Sequence, residues 1–295
     1  MNFSKAFGTF QPSNLPRKPG NLMSEHLPVY EIHARNTSAD SENKIHDDTV
    51  AASFGFSGGL VPGVTIFGYM TVPIVARFPE WLERGSMQIR FTQPFYEGDP
   101  VLVRAEATVS GPQVSISLTA HRSDGTVCAT ASAIIDTGSG GSGRPRTSDY
   151  QTRPLPLPEA RLAAAAKTLI PGTPLGRLVG RLDLKANQEG LLKQIGERLP
   201  VYFGEAAVAH PIVLLGMANH ILMHNVALGP WIHAASDLTN FCVARDGEEI
   251  TVRGFIADRF ERRGHEFVVL DLILTAGDRL VQRVLHTAIY KIRLA

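Results

Sequence analysis

Two segments of this chain are apolar on every side. VTIFGYMTVPIVARF (64–78) and HPIVLLGMANHILMHN (210–225) have the length of helices and offer no polar face to water. A helix of that kind has to be covered all round. The segments C-terminal to each one supply the cover. After the first come SMQIRFTQPF, VLVRAEATV, QVSISLTAHR and TVCATASAII. After the second come ASDLTNFCVA, ITVRGFIADRF, EFVVLDLILTA and RLVQRVLHTAIYKI. These eight segments alternate or run β-branched, with EGD, SDG, DGEE, RRGH and GDR as turns between them. The pattern predicts an α+β chain in which one long helix lies across a curved antiparallel sheet, twice. Two sheets are expected, meeting edge to edge so that strand edges are not left bare. Pro73 is expected to kink or end the first helix.

The two halves align. Pro62-Gly63 falls on His210-Pro211, Gly68 on Gly216, and Gly98 on Gly247. A period this long marks a duplicated domain rather than a solenoid. The boundaries are read as an extended arm over 1–25, a first domain over 26–137, a flexible linker over 138–160 and a second domain over 161–295. The linker reading rests on TGSGGSGRPRTSDYQTRPLPLP, where Gly and Ser give way to Pro. GSGGSG (138–143) satisfies the dinucleotide-binding spacing, but no helix-forming sequence comes next to hold a pyrophosphate.

Of the 295 residues, 44% are hydrophobic, which supports a sizeable core. The net charge of +1 is scattered, unlike the basic stripe of a nucleic-acid binder. Two distant cysteines, Cys128 and Cys242, are too few for a thiolate metal cluster. No apolar stretch is long enough for a bilayer, so neither a membrane nor a nucleic-acid partner is expected, and the expected location is the cytoplasm.

SADSENKIHDD (38–48) has no apolar period and crowds carboxylates around Asn43 and His46. A solvated capping loop, a hard-metal site using Asp40, Glu42, Asp47 and Asp48, and a proton-transfer centre are all compatible with it. Asp47 and Asp48 read as surface or capping groups. His220 and His224, four apart on the second helix, have metal-ligand spacing without a third ligand, so no metal is expected. No G-x-S-x-G elbow is present.

The order from strand to acidic loop with N-x-x-H, GF turn, Pro-Gly, buried helix and I-R-F-x-x-P-x-x-x-G-D resembles the MaoC-like hydratase/dehydratase branch of the hot-dog fold, including (R)-specific enoyl-CoA hydratases. The likeness covers residues 28–136. The second half resembles a degenerate hot-dog unit, which implies a double hot dog. In that family an Asp and a His hold the water that adds to an enoyl thioester. Asn43 and His46 match the family spacing, Ser41 stands where the Asp belongs, and Asp40 is one position earlier. Either a bulge restores Asp40 to the pair, or the acid is lost. Gly63 and Val64 at the helix start are the candidate oxyanion donors. The resemblance implies an acyl-CoA or acyl-carrier-protein thioester as substrate, no cofactor, and a monomeric pseudo-dimer or a homodimer. It leaves open an isomerase, cyclase or thioesterase, with Glu42 as a possible carboxylate, or a non-catalytic acyl-binding subunit.

Overall fold

The computed structural model describes residues 23–136 and 144–293. The first half contributes strands β1 (Met23–His26), β2 (Tyr30–His33), β3 (Gly85–Phe91), β4 (Pro100–Ser110), β5 (Gln113–His121) and β6 (Val127–Asp136). The second contributes β7 (Leu178–Arg181), β8 (Ile232–Asn240), β9 (Glu249–Arg262), β10 (His265–Ala276) and β11 (Arg279–Lys291). The helices are α1 (Asp48–Ser53), α2 (Gly63–Arg77), α3 (Trp81–Arg84), α4 (Leu184–Gln194) and α5 (Pro211–Asn225).

The described strands form one sheet of eleven, ordered β1-β4-β5-β6-β3-β8-β11-β10-β9-β7, with β2 also paired to β4. The sequence pattern predicts two sheets meeting edge to edge; the described strands form a single sheet whose ladder runs without a break across the middle. The seam is β3 against β8, where Ser86 to Arg90 pair antiparallel with Thr239 to Ala235. Each half would otherwise expose a long strand edge there, and joining them satisfies both rows of backbone groups. An Arg90–Asp237 ion pair crosses the same seam.

Period-two burial explains the sheet face. Val101, Val103, Ala105 and Ala107 point inward from β4, and Val114, Ile116, Leu118 and Ala120 from β5. Helix α2 fills the curve with Phe67, Tyr69, Met70 and Ile74, none of which reaches solvent. Burying each side chain of this size contributes roughly 1.5–3 kcal/mol. Helix α5 packs beside α2. Pro73 does not end α2, which runs on to Arg77. The proline lies in the last turn, and Ile74 and Val75 beyond it are buried in the core.

Three boundaries shift. The arm gives way to β1 at Met23, which pairs with Val109 of β4; residues 1–22 lie outside the described residues. The GSGGSG stretch also lies outside them. From residue 144 the expected linker is anchored at Tyr150, and residues 151–160 are exposed or half-buried. Tyr150 is buried against Ile273 and Leu280, its hydroxyl donates to Asp271 Oδ1 at 2.8 Å, and Arg177 N–H donates to the Arg153 carbonyl. Tyr150 thus covers part of the outer face of β10 and β11, at Ile273 and Leu280. Finally, α4 stands where the sequence pattern predicts no element. Asp183 caps it through Ala186 N–H, and Leu184 and Leu191, two turns apart, are its buried side chains.

Candidate active site

The strap from Asn36 to Asp48 is pinned to the start of α2 by its backbone. Asn36 Nδ2 donates to the His46 carbonyl at 2.8 Å, and Leu60 N–H donates to the Ile45 carbonyl at 3.1 Å. Gly59 N–H donates to Asp48 Oδ1 at 2.7 Å. A Cβ on Gly59 would overlap the His46 carbonyl, so only glycine allows this approach. Asp47 caps α1 by accepting from Val50 N–H at 2.9 Å.

These contacts fix the tautomer of His46. Its Nδ1 lies 2.6 Å from the Leu60 carbonyl, which accepts and so requires the proton there. Asn43 agrees on the other side. Trp231 N–H donates to Asn43 Oδ1 at 3.1 Å, while Asn43 Nδ2 donates to the Trp231 carbonyl at 2.9 Å. With its amide so oriented, Asn43 Nδ2 lies 3.3 Å from His46 Nε2 and meets a lone pair. Burial lowers the His46 pKa below the ordinary imidazole value. At neutral pH the ring is therefore an unprotonated base.

His46 lines two neighbouring spaces. The inner one is a cavity of about 60 Å³ lined by His46, Gly63, Phe91, Phe95, Phe267 and Ile289. The outer one, about 440 Å³, opens between the strap, α4 and α5, with Ser41, Asn43, His46 and Val64 on one side. At the junction α2 begins. Its Thr65 and Ile66 N–H groups both turn back to the Pro62 carbonyl. Among the described residues, the Gly63 and Val64 N–H groups have no hydrogen-bond partner, and Pro62 offers no side-chain cap. Two free amides and the positive end of the helix dipole therefore face the same space as the base.

The structure brings together His46, Asn43, Gly63 and Val64. Asp40 is exposed: residues 37–40 form a turn, closed by Ser41 N–H donating to the Ser38 carbonyl. The Asp40 carboxylate has no hydrogen bond to His46 among the described residues, although both residues line an outer depression with Arg35 and Lys193. Ser41 reaches the outer space, where its hydroxyl donates to the Asn43 carbonyl at 3.3 Å. Glu42 is exposed and faces Arg161 at 3.7 Å. Among the described residues no group of three His, Cys, Asp or Glu is placed to hold a metal ion, His220 and His224 included.

Residues of the second half that carry no motif also line the site, Trp231, Asn219 and His233 among them. Trp231 anchors Asn43. Asn219 of α5 lines both spaces, with its buried Oδ1 unpartnered. His233 lines the inner cavity beside Gly63 and Phe91, its ring edge-on to Phe91 at 4.9 Å between centroids. Spacing within one half cannot reveal them, because they arrive through the β3–β8 seam and the α2–α5 contact.

This architecture is a double hot dog. Solved structures with the same fold include a MaoC domain protein dehydratase from Chloroflexus aurantiacus (TM-score 0.68, 11% identity), over 95% of this chain and all of the other. A conserved hypothetical protein of Mycobacterium tuberculosis, described as a double hotdog, matches at TM-score 0.59 and 11% identity over 92% of this chain and 96% of that one. An acyl-CoA thioesterase II of Mycobacterium marinum matches at TM-score 0.50 and 15% identity over 80% of this chain and 92% of that one. No family model matches the chain, and no curated protein matches it in sequence. Among the described residues no helix is long and apolar enough to cross a membrane.

Proposed function

We propose that this protein adds water to, or removes it from, 2-enoyl/3-hydroxyacyl thioesters of coenzyme A or acyl carrier protein. The observation that carries the reading is the meeting of a neutral His46 Nε2 with the free amides of Gly63 and Val64 on one cavity. The thioester oxygen binds at the amides, and the acyl end enters the inner cavity. A single imidazole suffices for the proton traffic. His46 Nε2 takes a proton from water as its oxygen bonds to the β-carbon, and electrons move to the thioester oxygen. The imidazolium then returns that proton to the α-carbon. Burial disfavours the imidazolium, so it is a strong acid at the moment the enolate needs one. Asn219 lines the same two spaces as His46 and can orient the water. The small inner cavity favours a short acyl group; an apolar cavity of about 150 Å³ is needed for a benzene ring.

A thioesterase is the second reading, because the same parts would serve water attacking the carbonyl itself. One assay separates the two. With crotonyl-coenzyme A, hydration removes enoyl absorbance without releasing thiol, and His46→Ala lowers the rate by about 10²–10⁴-fold. Thiol release at constant stoichiometry with substrate loss favours the second reading. An unchanged rate in His46→Ala would falsify both. The acid limb of kcat/KM is expected below pH 6.5, the ordinary imidazole value, because the base stays unprotonated to lower pH.

A further inference from the structure

We propose that His233, from the second half, is a catalytic residue: a neutral imidazole whose Nδ1–H joins the Gly63 and Val64 amides in holding the thioester oxygen. This rests on the acyl-thioester reading of the site. The motif residues all come from the first half, and His233 belongs to none of them.

Three observations support it. The ring lines the inner cavity and lies against the first residue of α2. A Cβ built on Gly63 would stand 3.0 Å from His233 Nδ1 and 3.0 Å from the Phe91 ring. Any side chain at 63 would press on this nitrogen and on Phe91, so glycine lets the ring lie this close to the start of α2. Second, His233 Nδ1 is buried with no hydrogen-bond partner among the described residues. Third, the far side of the ring is wired. His233 Nε2 lies 2.8 Å from Ser236 Oγ, which lies 3.2 Å from His286 Nδ1.

One hydroxyl proton links two rings, so two arrangements exist. In one, His233 Nε2–H donates to Ser236, Ser236 donates to His286 Nδ1, and His286 carries its remaining proton on Nε2. That nitrogen is buried, has no partner and belongs to a ring with no solvent exposure. In the other, His286 Nδ1–H donates to Ser236, Ser236 donates to His233 Nε2, and the proton on His233 sits on Nδ1, at the cavity wall. Without a ligand each arrangement leaves one buried ring N–H unpartnered, since His233 Nδ1 and His286 Nε2 are both buried without a partner. The second arrangement puts that N–H on the ring that lines the cavity, where a bound oxygen supplies the partner an orphaned N–H lacks. Burial and the neighbouring His286 keep His233 unprotonated, with the Ala235 carbonyl opposing them by less, so it donates without acting as an acid at neutral pH. Ser236 and His286 are positioning residues that set this tautomer.

The test has two arms. Nitrogen-15 NMR of the full chain, labelled at histidine, reads the tautomer of His233 directly. The expected result is an N–H at Nδ1 whose resonance moves when butyryl-coenzyme A is added. A protonated Nε2 with bare Nδ1, or no movement on addition, overturns the proposal, and this arm needs no turnover. The second arm uses crotonyl-coenzyme A. His233→Leu is expected to lower kcat about 10²-fold with KM little changed, while urea unfolding shows equal or greater stability. A buried polar ring without full hydrogen bonding is not expected to stabilise the fold. His233→Asn, which restores a donor near the Nδ1 position, is expected to recover part of the rate. Wild-type kcat in a folded His233→Leu overturns the proposal. If no thioester is turned over, the hydration reading fails, and the NMR arm alone decides.

Discussion

The two buried helices begin alike and are finished differently. At α2, Pro62 leaves the first amides unclaimed and a neutral imidazole stands across an open cavity. At α5, the chain supplies its own ligand. His210 Nδ1 accepts from Ile212 N–H at 3.2 Å, which puts the ring proton on Nε2, 3.4 Å from Glu197 Oε2. Glu197 Oε1 accepts from the Arg198 and Leu199 N–H groups, each at 2.7 Å, and Tyr202 packs on His210 with centroids 4.5 Å apart. Both His210 and Glu197 are 1% exposed. A helix start becomes a site for a foreign molecule only where the protein has not filled it. The second half also gives up the strap. Its counterpart is α4, which reaches over the other half's entrance, where Gln194 Nε2 donates to Thr65 Oγ1 at 2.7 Å and to Thr37 Oγ1 at 3.0 Å.

The largest expected effect breaks the closed side. Glu197→Ala removes the acceptor of the Arg198 and Leu199 N–H groups and the buried carboxylate that faces His210 Nε2. Breaking a buried pair of this kind is a loss of roughly 3–5 kcal/mol. It is read as a shift in the urea unfolding midpoint, with turnover per folded molecule unchanged. His46→Ala should show the reverse, a large loss of turnover with a small change in stability. If Glu197→Ala instead left stability intact and abolished turnover, the two helix starts would have to exchange roles.

Next in size is the dependence on acid. Burial lowers the pKa of His210, His233 and His286, the last to about 3. Below pH 6.5 the unfolded chain takes up protons that these rings refuse while folded. Stability is complete above that pH and falls as pH drops. The slope is about 1.4 kcal/mol per pH unit for each such ring until its folded pKa is passed. For His286 the fall continues to about pH 3. Urea midpoints measured from pH 7.5 to 4 should decline from about 6.5 downward. His286→Leu should flatten the decline by about one ring's share. A midpoint that stayed level to pH 5 would show that the rings titrate normally.

Much of this is readable in the amino-acid order. The two all-apolar helices and the alternating strands are local patterns, and burial matches them to within a few residues. Asn43, His46, Gly63 and Val64 are legible because one half carries them in order. Asp40 shows the limit of a count along the chain: it measures spacing, while the turn at 37–40 leaves the residue exposed on the outer depression that His46 also lines. Helix α4 is hard to see because Leu184 and Leu191 are the only two side chains it buries, too few for a clear period. His233 is invisible for another reason. Its importance comes from lying against Gly63, some 170 residues earlier, through a seam between halves that no local pattern encodes.

The smallest expected effects compare two aligned glycines. Gly68 of α2 lies under α4's end, and a Cβ there would stand 2.8 Å from Ile195 Cδ1, a side chain with no solvent exposure. Gly68→Ala gains about 1 kcal/mol of helix preference and loses about 1–3 to overpacking. The net is a destabilisation of up to about 2 kcal/mol. Gly216 of α5 meets nothing within 4 Å of the same position and lines the entrance. Gly216→Ala keeps the helix preference without the clash, so a stabilisation of about 0.5–1 kcal/mol is expected. Thermal unfolding of the two variants side by side gives the sign of each. Opposite signs support α4 as a close cover on the first helix alone. Equal stabilisation in both would mean that Ile195 moves aside freely and that α4 does not press on α2.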